Sequence, residues 1–157
     1  MEQIRGNMKI ITRFIICASL VVLSSQSTPV EKCKDSPTPK DVRIDGCTET
    51  PCSLVRGTTV TAEWDFSILE DTRALKPRVR ATVLGMTVNY PFPQKDACST
   101  LTNAKCPLEA GEDVTYQLSM PISKMYPKIS LTIEFAFLDD KDNVVTCFAV
   151  PAKVTSK

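Results

Sequence analysis

The residues able to do chemistry in this chain of 157 residues are seven cysteines, 18 aspartates and glutamates, and 19 lysines and arginines, with no histidine. Without histidine there is no Ser-His-Asp or Cys-His nucleophile pair and no imidazole ligand for a metal. Nor does any side chain titrate near neutrality at its ordinary pKa. The short cysteine spacings, Cys47-x4-Cys52 and Cys98-x7-Cys106, are not the knuckle of a zinc site. Asp139, Asp140 and Asp142 with Asn143 form an acidic cluster, but no glycine bends it and no glutamate follows where a calcium loop needs one, so it reads as a hairpin turn. A formal net charge of +1 provides no general drive toward nucleic acid. The basic stretch Arg73, Lys76, Arg78 and Arg80 fits a solvated strand edge. We expect no catalytic residue, no metal and no cofactor, and a protein that is not an enzyme.

Before those residues can be placed, the start of the chain must be set aside. Arg5, Lys9 and Arg13 precede the apolar run Phe14 to Leu23, which is the layout of a secretory signal peptide. Ser25 and Ser27 supply small residues for cleavage, so residues 1–27, within a few positions, are expected to leave, and 28–157 to form one exported domain. The run is shorter than the roughly 20 residues of a transmembrane helix. Cys17 leaves with it, and six cysteines remain, an even number suited to an oxidising compartment. We expect Cys47 to pair with Cys52, Cys98 with Cys106, and Cys33 with Cys147. The last bridge spans most of the mature chain and contributes roughly 4–5 kcal/mol in the chain-entropy account.

The elements that position these residues follow a period of two. From Val60 to Ile68 every even residue is apolar and every odd one polar. Lys128 to Phe137 repeats the pattern with Ile129, Leu131, Ile133, Phe135 and Phe137 inward, and Val114 to Met120 does so again. Val79 to Met86, Val144 to Val150, Val42 to Ile44 and Ser53 to Val55 complete the set. Turn residues gather at Arg56-Gly57, Glu70-Asp71-Thr72, Ala110-Gly111 and Asp139 to Asn143. There is no convincing amphipathic helix and no internal repeat. The fold class is all-β: an immunoglobulin-like antiparallel β-sandwich of about seven strands in two sheets.

Two segments depart from a plain sandwich. Met86 to Pro93 and Met120 to Pro127 interleave proline with aromatic and apolar residues. Proline cannot donate to a ladder, so such stiff segments belong at a sheet edge or on a rim. They could frame the mouth of an apolar cavity between the sheets, or be edge strands whose aromatics complete the core.

Order and spacing over essentially the whole mature chain resemble the MD-2-related lipid-recognition (ML) domain family, and within it the Niemann-Pick type C-2 secreted sterol carriers. The residues that carry the likeness are Cys33-Lys34-Asp35, Thr50-Pro51-Cys52, Leu84-Gly85 ahead of the aromatic-proline run into Asp96-Ala97-Cys98, Cys106-Pro107, Met120-Pro121-Ile122, Tyr126-Pro127, and Asp139-Asp140-Lys141 before Cys147-Phe148. The three expected disulfides are also that family's pattern. The resemblance implies a tunnel between two splayed sheets, holding a sterol or similar hydrophobic ligand. Its mouth would be formed by Tyr90, Pro91, Phe92, Ile122, Tyr126 and Pro127, with Tyr90 where the family has Phe and Asn89 where it has Pro. Phe135 and Phe148 stand where the family has Trp, which enlarges the pocket slightly. Wall candidates on inward strand faces are Trp64, Phe66, Val83, Val88, Leu118, Met120, Leu131, Ile133 and Phe135, each of which could instead be ordinary core.

The implied function is a secreted, monomeric lipid-binding and transfer protein of extracellular or lysosomal fluid, touching a membrane or a membrane sterol transporter in passing. Two alternatives stand beside it. One is an innate-immune or chemical-signalling ML protein that takes microbial lipid or a fatty acid, for which Lys124 and Lys128 beside the second rim segment could hold a carboxylate. The other is a closed-core sandwich that works through its surface.

Overall fold

Alternating side chains make strands that bury one face, and the structure, a computed structural model describing residues 26–156, follows that alternation. The expected signal peptide lies outside the described residues except for Gln26 and Ser27. Nine strands are described: β1 (Glu31–Lys32), β2 (Asp41–Ile44), β3 (Cys52–Val55), β4 (Thr59–Ser67), β5 (Lys76–Val83), β6 (Met86–Tyr90), β7 (Asp113–Pro121), β8 (Ser130–Leu138) and β9 (Val144–Thr155). Every expected strand has its counterpart, and β1 and β6 are additional. The described residues also include one 3-10 turn, Ala97–Thr100, capped by the Asp96 carboxylate, which accepts from the Cys98 amide at 2.9 Å.

The strands form two sheets. The larger runs β1-β9-β8-β5-β6 with β3 also paired to β9, and the smaller runs β2-β4-β7. All pairings are antiparallel except β3 with β9. The sandwich therefore has two unlike long edges. On one, β2 lies beside β1 and β3, and their connections are tied together. Cys47 is bonded to Cys52 there, and the buried Thr28 hydroxyl donates to the Cys47 carbonyl at 2.7 Å and accepts from the Ile44 amide at 2.9 Å. On the other, β6 and β7 carry no ladder between them. Cys33 is bonded to Cys147 and Cys98 to Cys106. The first of these holds the N-terminal segment on the outer face of β9, where the Cys147 amide donates to the Pro37 carbonyl at 2.8 Å.

Two strand boundaries differ from expectation. The strand expected from Val79 to Met86 turns at Leu84-Gly85, whose φ angles of 50° and 81° are those of a type I′ hairpin loop, and Val83 pairs with Met86. Leucine in place of the usual Asn or Asp hides this turn from a sequence reading. β9 continues past Val150 through Pro151 to Thr155. Pro151 falls between Ala149, which pairs with β1, and Ala152, which pairs with β3, a place on that edge that calls for no donor. The acidic cluster is the β8–β9 turn: the Asp139 carboxylate accepts from the Lys141 and Asn143 amides, each at 2.8 Å, and from Asn143 Nδ2 at 3.0 Å.

The core is uneven. Toward one end the inward residues are aromatic: Trp64 and Phe66 on β4, Tyr116 on β7, Phe135 and Phe137 on β8, and Phe148 on β9, all buried. The Trp64 ring lies 4.5 Å from Tyr116, 4.8 Å from Phe135 and 5.2 Å from Phe148 between centroids. Ile68, Leu75, Leu108 and Val114 complete this packed end. Toward the other end the same strands carry Val60, Leu118, Met120, Leu131 and Ile133. β4–β7 register sets Trp64 against Tyr116 but Val60 against Met120.

Candidate functional site

Sheets in a sandwich stand about 10 Å apart, and rings fill that gap where short aliphatic chains do not. Beyond the aromatic end the structure accordingly leaves a cavity of about 270 Å3. Its floor is Trp64, Phe135 and Phe148; Val79 and Ala81 of β5, Leu131 and Ile133 of β8, Val150 and Val154 of β9 and Leu54 of β3 form one wall, and Val60, Leu118 and Met120 the other. Ile122, Tyr126, Pro127 and Tyr90 stand at the unladdered β6–β7 edge, with Ile129 behind them, and the wall exposes no polar surface. An unfilled volume forfeits packing at about 24 cal/mol per Å3, which makes this an expensive feature to keep. An interior filled throughout, as the closed-core alternative requires, is not what the structure holds.

The residues expected at the mouth are held by specific contacts. The Tyr90 and Tyr126 hydroxyls lie 2.6 Å apart, bridging the edge strand β6 to the β7–β8 connection. Burial, together with the bond to Tyr126, pushes the Tyr90 phenol up to about 12, so it stays neutral. Arg56 Nη1 donates to the Lys124 and Tyr126 carbonyls, each at 3.3 Å, which fixes that connection on the β3–β4 turn. Gly57 makes the close approach possible: its φ is +79°, and a Cβ there would sit 3.0 Å from Lys124 Cε. Below the floor, burial pushes the Tyr116 phenol up to about 12, and its hydroxyl donates to Gln94 Oε1. Trp64 Nε1 is buried with no oxygen or nitrogen acceptor among the described residues.

Of the sequence-expected site residues, the structure brings Tyr90, Ile122, Tyr126, Pro127, Trp64, Leu118, Met120, Leu131, Ile133, Phe135 and Phe148 together around the cavity. Five stand elsewhere. Phe66 packs against Phe137 at 5.4 Å in the filled end, and Phe92 lies edge-on to Phe135 at 5.3 Å, behind the wall rather than in it. Pro91 is exposed between them and the mouth. Val83 and Val88 share the inward parity of Ala81 and Tyr90, but their hairpin runs past the cavity, and Val88 is 59% exposed. The residues missed are Leu54, Val60, Val79, Ala81, Ile129, Val150 and Val154. Most were signalled by parity: Val60 alternates with Trp64, Ile129 with Leu131, and Val150 with Phe148. Leu54 had no signal, since it arrives through the parallel pairing of β3 with β9.

Other polar clusters are structural. On the outer face of the small sheet Arg43 contacts Asp41 at 2.5 Å, Asp65 at 2.6 Å and Glu63 at 3.6 Å. The Arg43 guanidinium holds the Asp65 carboxyl below its usual range, and the Ser27 hydroxyl, followed by Arg43, does so for Asp41. The ligand atoms of Cys33, Glu134 and Cys147 lie within 4.8 Å of one another, but both sulfurs are joined in the disulfide. What the site can do is take up hydrocarbon.

Comparison with known proteins agrees with this geometry. The ML domain profile matches residues 27–154. NPC intracellular cholesterol transporter 2 homolog a of Drosophila melanogaster is 35% identical over 144 residues, covering 89% of this chain and 95% of the relative. NPC intracellular cholesterol transporter 2 of Bos taurus is 29% identical over 115 residues, covering 73% and 76%. A crystal structure of a Niemann-Pick type C2 protein from Japanese carpenter ant superposes with a TM-score of 0.75 at 25% identity, covering 81% of this chain and 99% of that one. The chain belongs to the ML domain family and is similar within it to the Niemann-Pick type C2 proteins.

Proposed function

We propose that this chain binds and transfers a hydrophobic lipid, a sterol or a molecule of similar shape, in the cavity between its sheets. The observation that carries the reading is the apolar cavity of about 270 Å3 bordered by Tyr90, Ile122 and Tyr126, where we place its mouth. Burying a ligand there releases roughly 25 cal/mol per Å2 of apolar surface and needs no acid, base or nucleophile. An engineered cavity of about 150 Å3 holds benzene, so a four-ring ligand must widen this one, and the unladdered β6–β7 edge is where the sheets separate most cheaply. The names of the Drosophila and bovine relatives, cholesterol transporters, favour a sterol.

The reading extends to partners and place of action. Leu84 is 94% exposed and Met125 89%, and with Met86 and Val88 they put apolar surface on the hairpin that bears Tyr90 and on the connection that bears Tyr126, which supports transient contact with a membrane during transfer. Three disulfides support export to an oxidising compartment, extracellular or lysosomal, and the chain is proposed to act there as a monomer. The test is transfer of a fluorescent sterol between vesicles by the purified chain, with native mass spectrometry of lipid that copurifies. Transfer is expected with the native chain and is lost in Ile122→Asp, which sets a charge in the mouth. A native, folded chain that takes up no sterol or other lipid overturns the reading.

A further inference from the structure

The two sides of the cavity's unladdered edge are not held alike. We infer that the Tyr90–Tyr126 hydrogen bond is a latch on that edge, setting how fast cargo enters and leaves without setting how tightly it is held. The inference rests on the reading of the cavity as a lipid site with its mouth at these residues, and names what regulates it.

The β7–β8 connection is the fixed side. Ile122 exchanges backbone bonds with the β3–β4 turn, its carbonyl accepting from the Gly57 amide at 2.7 Å and its amide donating to the Thr58 carbonyl at 2.8 Å. Arg56 Nη1 holds the Lys124 and Tyr126 carbonyls, and the Ile129 carbonyl accepts from the Val154 amide of β9 at 2.9 Å. Tyr126 therefore stands on a segment bound at both ends and in its middle.

The free side is β6. It pairs with β5 alone, and its residues Met86 to Asn89 are exposed. Among the described residues the Tyr90–Tyr126 bond, at 2.6 Å, is the one hydrogen bond that joins β6 to β7 or to the connection. A swing of the hairpin away from the connection breaks this bond and no ladder. Lower on the same edge, past the end of β6, closure has other ties: the Tyr116 hydroxyl donates to Gln94, and Leu101 bridges to Tyr116.

The cavity wall exposes no polar surface, so both hydroxyls are turned out of it and toward each other, and a ligand lying against the wall leaves the bond free to re-form. A contact that holds the free and the loaded chain alike slows entry and exit by one factor and shifts no binding equilibrium. Both tyrosines are half-buried, so water replaces the bond when it opens and its net worth is that of an exchanged hydrogen bond.

The experiment follows a fluorescent sterol by energy transfer from Trp64, the chain's one tryptophan, at the cavity floor. Loading, and release into excess cyclodextrin, are timed by stopped flow for the native disulfide-bonded chain, Tyr90→Phe, Tyr126→Phe and the double variant. Phenylalanine keeps each ring and removes the hydroxyl. Each single variant is expected to raise both rates by roughly 2- to 12-fold with the dissociation constant unchanged. The double variant is expected to match the singles, because only one bond is lost. Tyr116→Phe, whose hydroxyl bonds Gln94 below the floor, keeps the native rates. Native rates in the single variants, or a double variant whose gain is the product of theirs, overturn the inference and leave the carrier reading standing. So does faster release with unchanged loading, which would mean that the hydroxyls hold the ligand itself. A native chain that takes up no sterol or other lipid overturns the carrier reading and the inference with it.

Discussion

The two ends of the sandwich are built from the same strands, with the same alternation of inward and outward residues. They differ in the size of what points inward. Phe66 and Phe137 lie 5.4 Å apart at one end, while a few residues along the same strands Val60 and Ile133 border open space. Rings at one end set the separation of the sheets, and aliphatic side chains at the other cannot span it. A binding cavity thus needs no special backbone: an abrupt drop in side-chain volume along each strand is enough, provided the packed end and the disulfides carry the stability.

Truncation tests that contrast most severely. Phe137→Ala opens a new hole in the packed end and is expected to cost about 3–5 kcal/mol in urea unfolding. Leu131→Ala removes a half-buried side chain that already borders open space and is expected to cost about 2 kcal/mol, the low end for such a truncation. Equal costs would show that the two ends are packed alike. Filling is the converse experiment. Ile133→Trp should leave urea stability within about 1 kcal/mol of native while reducing sterol uptake roughly tenfold or more by occupying the ligand's space, and uptake at the native level would place the ligand outside the cavity.

A smaller effect is expected at the hairpin tip. Leu84 holds a φ of 50° that leucine adopts reluctantly, so Leu84→Asn should raise unfolding stability by about 0.5–1 kcal/mol. Vesicle cosedimentation should fall as the apolar tip is lost.

The smallest effect is with pH. Asp41 and Asp65 have folded pKa values depressed below 3.8, so their contribution is fully present above the unfolded value and is lost as pH falls through the folded one. With no histidine in the chain, sterol affinity measured in detergent-free buffer should be flat between about pH 7 and pH 5. A steep change over that interval would mean that a group at the open end titrates there.

Much of this was legible in the residues, because period-two alternation and an even cysteine count are local signals. The strands follow from the first, and once parity leaves six cysteines, the short spacings pair Cys47 with Cys52 and Cys98 with Cys106 and leave Cys33 for Cys147. What alternation cannot tell is where along a strand the opposite sheet stops. Trp64 and Phe66 look equivalent in sequence, yet one is the cavity floor and the other lies a layer deeper. Val88 alternates with Tyr90 as an inward residue should, but nothing covers it, since the length of a hairpin past its partner sheet is a tertiary fact. Leu54 illustrates the same gap, for a parallel strand pair joins residues about a hundred positions apart with no turn between them to signal it.

Cross-links that gather along β1, β2 and β3 also have a kinetic meaning. With that edge tied by Cys47–Cys52 and by Thr28, and with no ladder joining β6 to β7, a rotation of one sheet about that seam would admit cargo once the Tyr90–Tyr126 hydrogen bond opens. No sheet pairing has to break. Exchange of cargo should therefore run on the microsecond-to-millisecond clock of hinge motions rather than the slower one of local unfolding. Backbone amides of β4 and β8 should stay protected from deuterium through many rounds of loading and release.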